Sequence, residues 1–259
     1  MPRGLLNHGC DCAFNSAVQV LFHIPQLARR VRDAPYGGEC LITREFIAVV
    51  LQLLDKSTVQ PVDPAALLRA LRERFPQFRE HEQHDAAEVV RLLMDVLERS
   101  LGVAAVWEGT ADQVVSFSGR ESVTATSFAT TDLIVPEPGC TLEELLAHAE
   151  EPEFLCDYVD RDGASHALAV KHTAVTRFPR VCVFTFGTNH QLFPVQLPDV
   201  WDGRRLGSLV MHQGDDGDGH YLMAARVRDD WWIKSDDECV RVEDAALVTT
   251  LAPVCVVYV

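Results

Sequence analysis

Residues 4–21 read Gly4-Leu5-Leu6-Asn7-His8-Gly9-Cys10-Asp11-Cys12-Ala13-Phe14-Asn15-Ser16-Ala17-Val18-Gln19-Val20-Leu21. At Cys12 a glycine-containing turn gives way to a helix, because Phe14, Val18, Leu21 and Phe22 recur at three- and four-residue spacing and Pro25 then punctuates the run. A cysteine at that junction meets free N–H groups and the positive end of the helix dipole, both of which favour thiolate.

Working outward, the first third reads helical. Phe46, Val49, Val50, Leu53 and Leu54 form a second apolar stripe, and Asp63-Pro64 is expected to cap a helix running from Leu67 to Phe75 with proline at its first position. Val89, Leu92, Leu93, Val96 and Leu97 mark a long amphipathic helix ending near Leu101. From Trp107 the texture changes to short β-branched and aromatic runs, with one helical insert over Leu142 to Ala149. Strands are expected at Gln113–Ser118, Ala167–His172, Val181–Phe186, Gly207–His212, Tyr221–Val227, Trp231–Lys234 and Val254–Val259. Gly214–Gly219, with three aspartates, reads as a mobile loop. A helical half packed on a β half, with a crevice between, is an α+β architecture.

The 259 residues, 47% of them hydrophobic, suffice for one large domain. No apolar run reaches the ~18 residues of a membrane span, and no signal-peptide pattern opens the chain. Eight cysteines without a C-x-x-C pair point to reduced thiols, hence cytoplasm or nucleus. A net charge of −15 disfavours nucleic acid and anionic membranes and favours a basic partner. His8, Cys10 and Cys12 alternate, but no fourth ligand lies nearby, so neither a metal nor another cofactor is expected.

Cysteine catalysis requires a thiolate, a histidine that exchanges protons, a group that orients the histidine, and donors for the oxyanion. Cys12, His220, Asp236 and Asn7 can fill these roles, yet a chain with eight cysteines and ten histidines offers many such sets. What selects among them is a pattern of three boxes in order. The opening stretch resembles G-L-x-N-x-G-N-T-C-[FYW]-M-N-S-x-L-Q-x-L, the cysteine box of the ubiquitin-specific proteases; Asn15, Ser16 and Gln19 register Cys12, and leave Cys10 a bystander. Gln83-His84-Asp85-Ala86-Ala87-Glu88 resembles that family's Q-[QH]-D-A-x-E-F. His212-Gln213-Gly214, Gly219-His220-Tyr221 and Trp231-Trp232-Ile233-Lys234-Ser235-Asp236-Asp237 resemble H-x-G...G-H-Y...W-[YW]-x-F-[DN]-D, with Ser235 in place of the aromatic.

The resemblance implies a papain-like core in a single domain over residues 1–259: a helical thumb to about 101, reduced fingers and connecting palm strands over about 102–175, and palm from about 176 to 259. It implies hydrolysis of the bond after ubiquitin's C-terminal Gly-Gly through a thioester. Cys12 would be nucleophile, His220 base, Asp236 its orienter and Asn7 an oxyanion donor; Gln83, Asp85, Gly219 and Tyr221 would contact the bound tail. Partners are expected to be ubiquitin and ubiquitinated proteins, with the enzyme a monomer. A catalytically weak or inactive ubiquitin-binding relative, or a protease for another ubiquitin-like modifier, stands as the alternative. The family's fingers commonly hold zinc on two C-x-x-C pairs; here Cys156 and Cys140 cannot supply four thiolates, and the Leu142–Ala149 insert is expected to replace part of the grip. Asp11, where the family has Thr, is expected to cap the Cys12 helix and, as an anion, to raise the thiol pKa.

Overall fold

In a computed structural model, residues 2–187, 192–214, 219–244, 248 and 252–259 are described. The chain runs through α1 (Cys12–Phe22), α2 (Pro25–Asp33), α3 (Leu41–Leu54), α4 (Ala65–Arg74), α5 (Ala86–Leu101) and α6 (Ala104–Trp107). It continues with β1 (Gly109–Phe117), β2 (Arg120–Phe128), β3 (Thr131–Ile134), α7 (Leu142–Ala149), β4 (Glu153–Val159), β5 (Ser165–Arg177) and β6 (Cys182–Gly187). Last come β7 (Val200–Trp201), β8 (Arg204–Gln213), β9 (His220–Val227), β10 (Asp230–Ser235), β11 (Glu238–Val242) and β12 (Pro253–Tyr258).

The β half forms two sheets. One has the order β11-β10-β9-β8-β12-β6-β3 with β7 paired to β8, and among the described residues its β3–β6 pairing is parallel and the others antiparallel. The other, β2-β1-β5-β4, is antiparallel, with Val115, Phe117 and Ala169 buried as a small cluster. The main core lies between the helices and one face of the larger sheet: Phe14, Val18, Leu21, Phe46, Val90 and Leu93 meet Val181, Val210, Met223 and Cys255. Helix α1 runs through the middle of this layer, against α5 on one side and β8, β9 and β10 on the other.

Helix α7 sits at Leu142–Ala149, where Leu142 and Leu145 pack with Leu133, Val135 and Phe184 on the larger sheet. Its start is set by a capping box, in which Thr141 accepts from the Glu144 N–H and Glu144 from the Thr141 N–H. One expectation is corrected: at α4 the N-cap position falls on Pro64, and the Asp63 carboxylate reaches past it to the Ala65 N–H at 2.9 Å. Asp215, Asp216, Gly217 and Asp218 of the expected mobile loop lie outside the described residues.

Candidate active site

Cys12 is the first residue of α1 and is buried, 7% exposed. Its sulfur is approached by the backbone N–H of Tyr221, on β9, and by those of Ala13 and Cys12 itself. These donors favour thiolate, but burial outweighs them and the nearby Asp236 carboxylate acts in the same direction, so the thiol pKa is raised.

His220, which opens β9, lies one residue from the strand N–H that faces the sulfur. Its Nε2 is 2.9 Å from Ser235 Oγ and 3.8 Å from Asp236 Oδ2. Asp236 follows β10 in a left-handed conformation, φ 49°, which an aspartate tolerates. Three contacts hold it: its carbonyl accepts from the Leu5 N–H at 2.8 Å, and its carboxylate accepts from Asn7 Nδ2 at 2.8 Å and from Asn15 Nδ2 at 2.7 Å. Gly4 lies so close to the Asp236–Asp237 backbone that a Cβ there would clash. Thus the 4–21 stretch supplies both the cysteine and the cradle for Asp236.

Asn7 closes the turn before the helix, with Oδ1 accepting from the N–H groups of Gly9 and Asp11 at 2.8 and 3.2 Å. Its amide nitrogen gives one hydrogen to Asp236 and retains a second. Asp11 departs from the expected cap. It is 2% exposed, its side chain makes no capping bond to the helix, and it pairs instead with Arg72 at 2.6 Å and accepts from the His8 N–H at 3.0 Å. With its charge matched by Arg72, Asp11 is not among the groups that raise Cys12; Asp236 is the carboxylate that does.

On the helical half, Asp85 caps α5, accepting from Ala87 and Glu88 N–H at 2.7 and 3.3 Å. Gln83 Nε2 donates to the Gly219 carbonyl at 3.1 Å, linking the helical half to the start of β9. Tyr221 is pushed up to about 12 by burial and by the Asp85 charge, and the Ala86 N–H faces its hydroxyl. Its ring meets His212 edge-on at 4.7 Å, and a Cβ at Gly219 would displace the His212 imidazole. The four residues assigned to tail contacts therefore lie together where the start of α5 meets the start of β9.

Among the described residues no group of three or more His, Cys, Asp or Glu is arranged to hold a metal. Cys156 stands exposed on β4 of the smaller sheet, whereas Cys140 donates to the Glu137 carbonyl beside α7, on the other sheet. The donor set does not fit a fingers zinc.

Sequence reasoning missed Asn15 and Ser235 as supports of the site. Asn15, Ser16 and Gln19 are buried polar residues on an otherwise apolar helix, and Asn15 and Gln19 follow Cys12 at helical spacing; that polar stripe was the available signal.

The model of the family described as "Ubiquitin carboxyl-terminal hydrolase" matches residues 3–191, most of the chain. The chain belongs to the ubiquitin carboxyl-terminal hydrolase family. It is 33% identical over 122 residues to ubiquitin carboxyl-terminal hydrolase 6 of Schizosaccharomyces pombe, covering 44% of this chain and 25% of that protein. It is 26% identical over 291 aligned residues to ubiquitin C-terminal hydrolase 13 of Arabidopsis thaliana, covering 93% of this chain and 25% of that protein. The matches thus span a quarter of each relative's length. Among solved structures, the SAGA Ubp8/Sgf11/Sus1/Sgf73 module bound to ubiquitin aldehyde aligns with a TM-score of 0.81 at 18% identity, over 99% of this chain and 69% of that one. The same module bound to monoubiquitin gives 0.82 at 17% identity, over 99% and 68%. The family's α+β catalytic fold is thereby established for this chain. No helix of the described residues is long and apolar enough to cross a membrane.

Proposed function

We propose that this chain is a thiol-dependent deubiquitinase that hydrolyses the isopeptide or peptide bond after the C-terminal Gly-Gly of ubiquitin. The observation that carries the reading is the convergence, at the start of α1, of the Cys12 thiol with the β9 N–H next to His220 and with the Asp236 carboxylate. Family membership supports it, as do the two solved modules, which hold ubiquitin or ubiquitin aldehyde.

Because burial raises the Cys12 pKa, the thiol proton passes to His220 as the sulfur attacks the terminal glycine carbonyl. The free Asn7 N–H and the N–H groups at the helix start stabilise the oxyanion. His220 then protonates the departing amine, leaving a thioester on Cys12. Water attacks the thioester with His220 again taking a proton, releasing the ubiquitin carboxylate and restoring the thiol. Gln83, Asp85, Gly219 and Tyr221 line the entry of the tail, whose arginines suit the acidic mouth of the crevice.

The test is steady-state hydrolysis of ubiquitin carrying a C-terminal fluorogenic amide, for wild type, Cys12→Ala and Cys10→Ala. Turnover by wild type and Cys10→Ala, with none by Cys12→Ala, is expected. Wild type that binds ubiquitin without turnover points to the inactive relative, and turnover only of another modifier's conjugate redirects the substrate assignment.

A further inference from the structure

The hydrogen-bonding partner of His220 is a serine. Nε2 lies 2.9 Å from Ser235 Oγ, within ordinary hydrogen-bond range, whereas Asp236 Oδ2 at 3.8 Å is beyond it. The gap to Asp236 has a structural cause. Each of its carboxylate oxygens accepts a side-chain amide, from Asn7 at 2.8 Å and from Asn15 at 2.7 Å, and its carbonyl is bonded to the Leu5 N–H. Asp236 is thus tied to the N-terminal segment and α1, and its carboxylate stands 3.8 Å from Nε2. Ser235 ends β10, which pairs with β9 through Lys234 and with β11 through Ser235 itself, opposite Glu238. Its hydroxyl is therefore presented to His220 from the end of a strand that has a partner on each side.

We propose that Ser235 is the positioning residue of the catalytic histidine, its hydroxyl oxygen accepting the Nε2 proton so that Nδ1 is the unprotonated nitrogen available to the thiol. This rests on the deubiquitinase reading above. The ubiquitin-specific protease motif has Phe at this position, which has no group to accept that proton, so the assignment belongs to this sequence and not to the motif. A general base is useful only in the tautomer whose lone pair faces the proton it takes, and a ring nitrogen's protonation is set by the partner of the other nitrogen. Ser235 is partly exposed at a strand end, and removing its hydroxyl leaves no buried cavity.

The experiment compares wild type, Ser235→Ala and Ser235→Thr by two readouts. Long-range nitrogen–proton NMR of histidine-labelled protein, at a pH where His220 is neutral, reports its tautomer without any ubiquitin present. Hydrolysis of the fluorogenic ubiquitin amide reports kcat and KM separately. Wild type and Ser235→Thr should show the Nε2-protonated ring, and Ser235→Ala a mixture of tautomers. The alanine variant should lose about tenfold in kcat with little change in KM, the loss expected for one hydrogen bond made to the base, and threonine should recover most of it. An unchanged tautomer in Ser235→Ala, or equal losses in the alanine and threonine variants, overturns the proposal. If wild type has no activity on ubiquitin, the deubiquitinase reading fails while the tautomer measurement still decides the role of Ser235.

Discussion

Replacing Arg72 by Met removes the partner of a carboxylate buried beside the nucleophile. Asp11 is 2% exposed, and apart from Arg72, 2.6 Å away, its carboxylate accepts from the His8 N–H at 3.0 Å. Stranding a buried charge in this way costs about 3–5 kcal/mol. The Arg72 side chain is 18% exposed, so water can reach the vacated position and the lower figure applies, about 3 kcal/mol. Part of that loss is packing, because the guanidinium also lies 5.6 Å from the centre of the Phe14 ring. Urea unfolding of wild type, Arg72→Met, Asp11→Asn and the double variant separates the two contributions. The double variant should recover more than half the loss of Arg72→Met, since the neutral amide no longer requires a cation. A loss below about 1 kcal/mol in Arg72→Met, or no coupling between the two positions, refutes the reasoning that the buried Asp11 charge depends on Arg72. In the same protein, Asp11→Thr should leave the pH midpoint of Cys12 alkylation where it is, because Asp236 and not Asp11 bears on the thiol.

Lys234 is 2% exposed and burial lowers its pKa from 10.5 to about 8, with Nζ donating to Gln19 Oε1 at 2.6 Å. Below that value the buried cation costs the native state; between it and 10.5 the unfolded chain alone holds the proton, so stability rises with pH. Relative to Lys234→Met, wild type should gain about 3 kcal/mol between about pH 7 and pH 11, measured by urea unfolding; a pH-independent difference contradicts this. Gly4→Ala forces the Asp236–Asp237 backbone aside and should lower kcat on the order of 100-fold while helical content persists by circular dichroism; full activity would show that Asp236 needs no such cradle.

The helices were legible where an apolar stripe met a strong boundary. Helix α5 has Asp85 as its cap and Gly102 in the left-handed conformation at its end, and α7 has its capping box. Strands of the larger sheet were legible from their apolar runs, such as Cys182–Gly187, buried at every position but the last. β2 and β4 were not, because they are the outer strands of the smaller sheet: Arg120–Phe128 and Glu153–Val159 have no fully buried residue and hence no period to read. β3, only four residues long, is defined by its partner β6. At the site, Cys12, His220 and Asp236 were named because their boxes are contiguous in sequence. The Asn15–Asp236 bond joins residues 221 positions apart and the His220–Ser235 bond depends on the strand register, so neither could be read before the chain was folded.

The central claim, that Cys12 is the nucleophile of a ubiquitin-directed thiol hydrolase, is tested most directly by incubating the protein with ubiquitin bearing a C-terminal electrophile and locating the product by mass spectrometry. One covalent ubiquitin per chain is expected, attached at Cys12 and absent from Cys12→Ala. An adduct at Cys10, or none at all under conditions where ubiquitin binds, would contradict it.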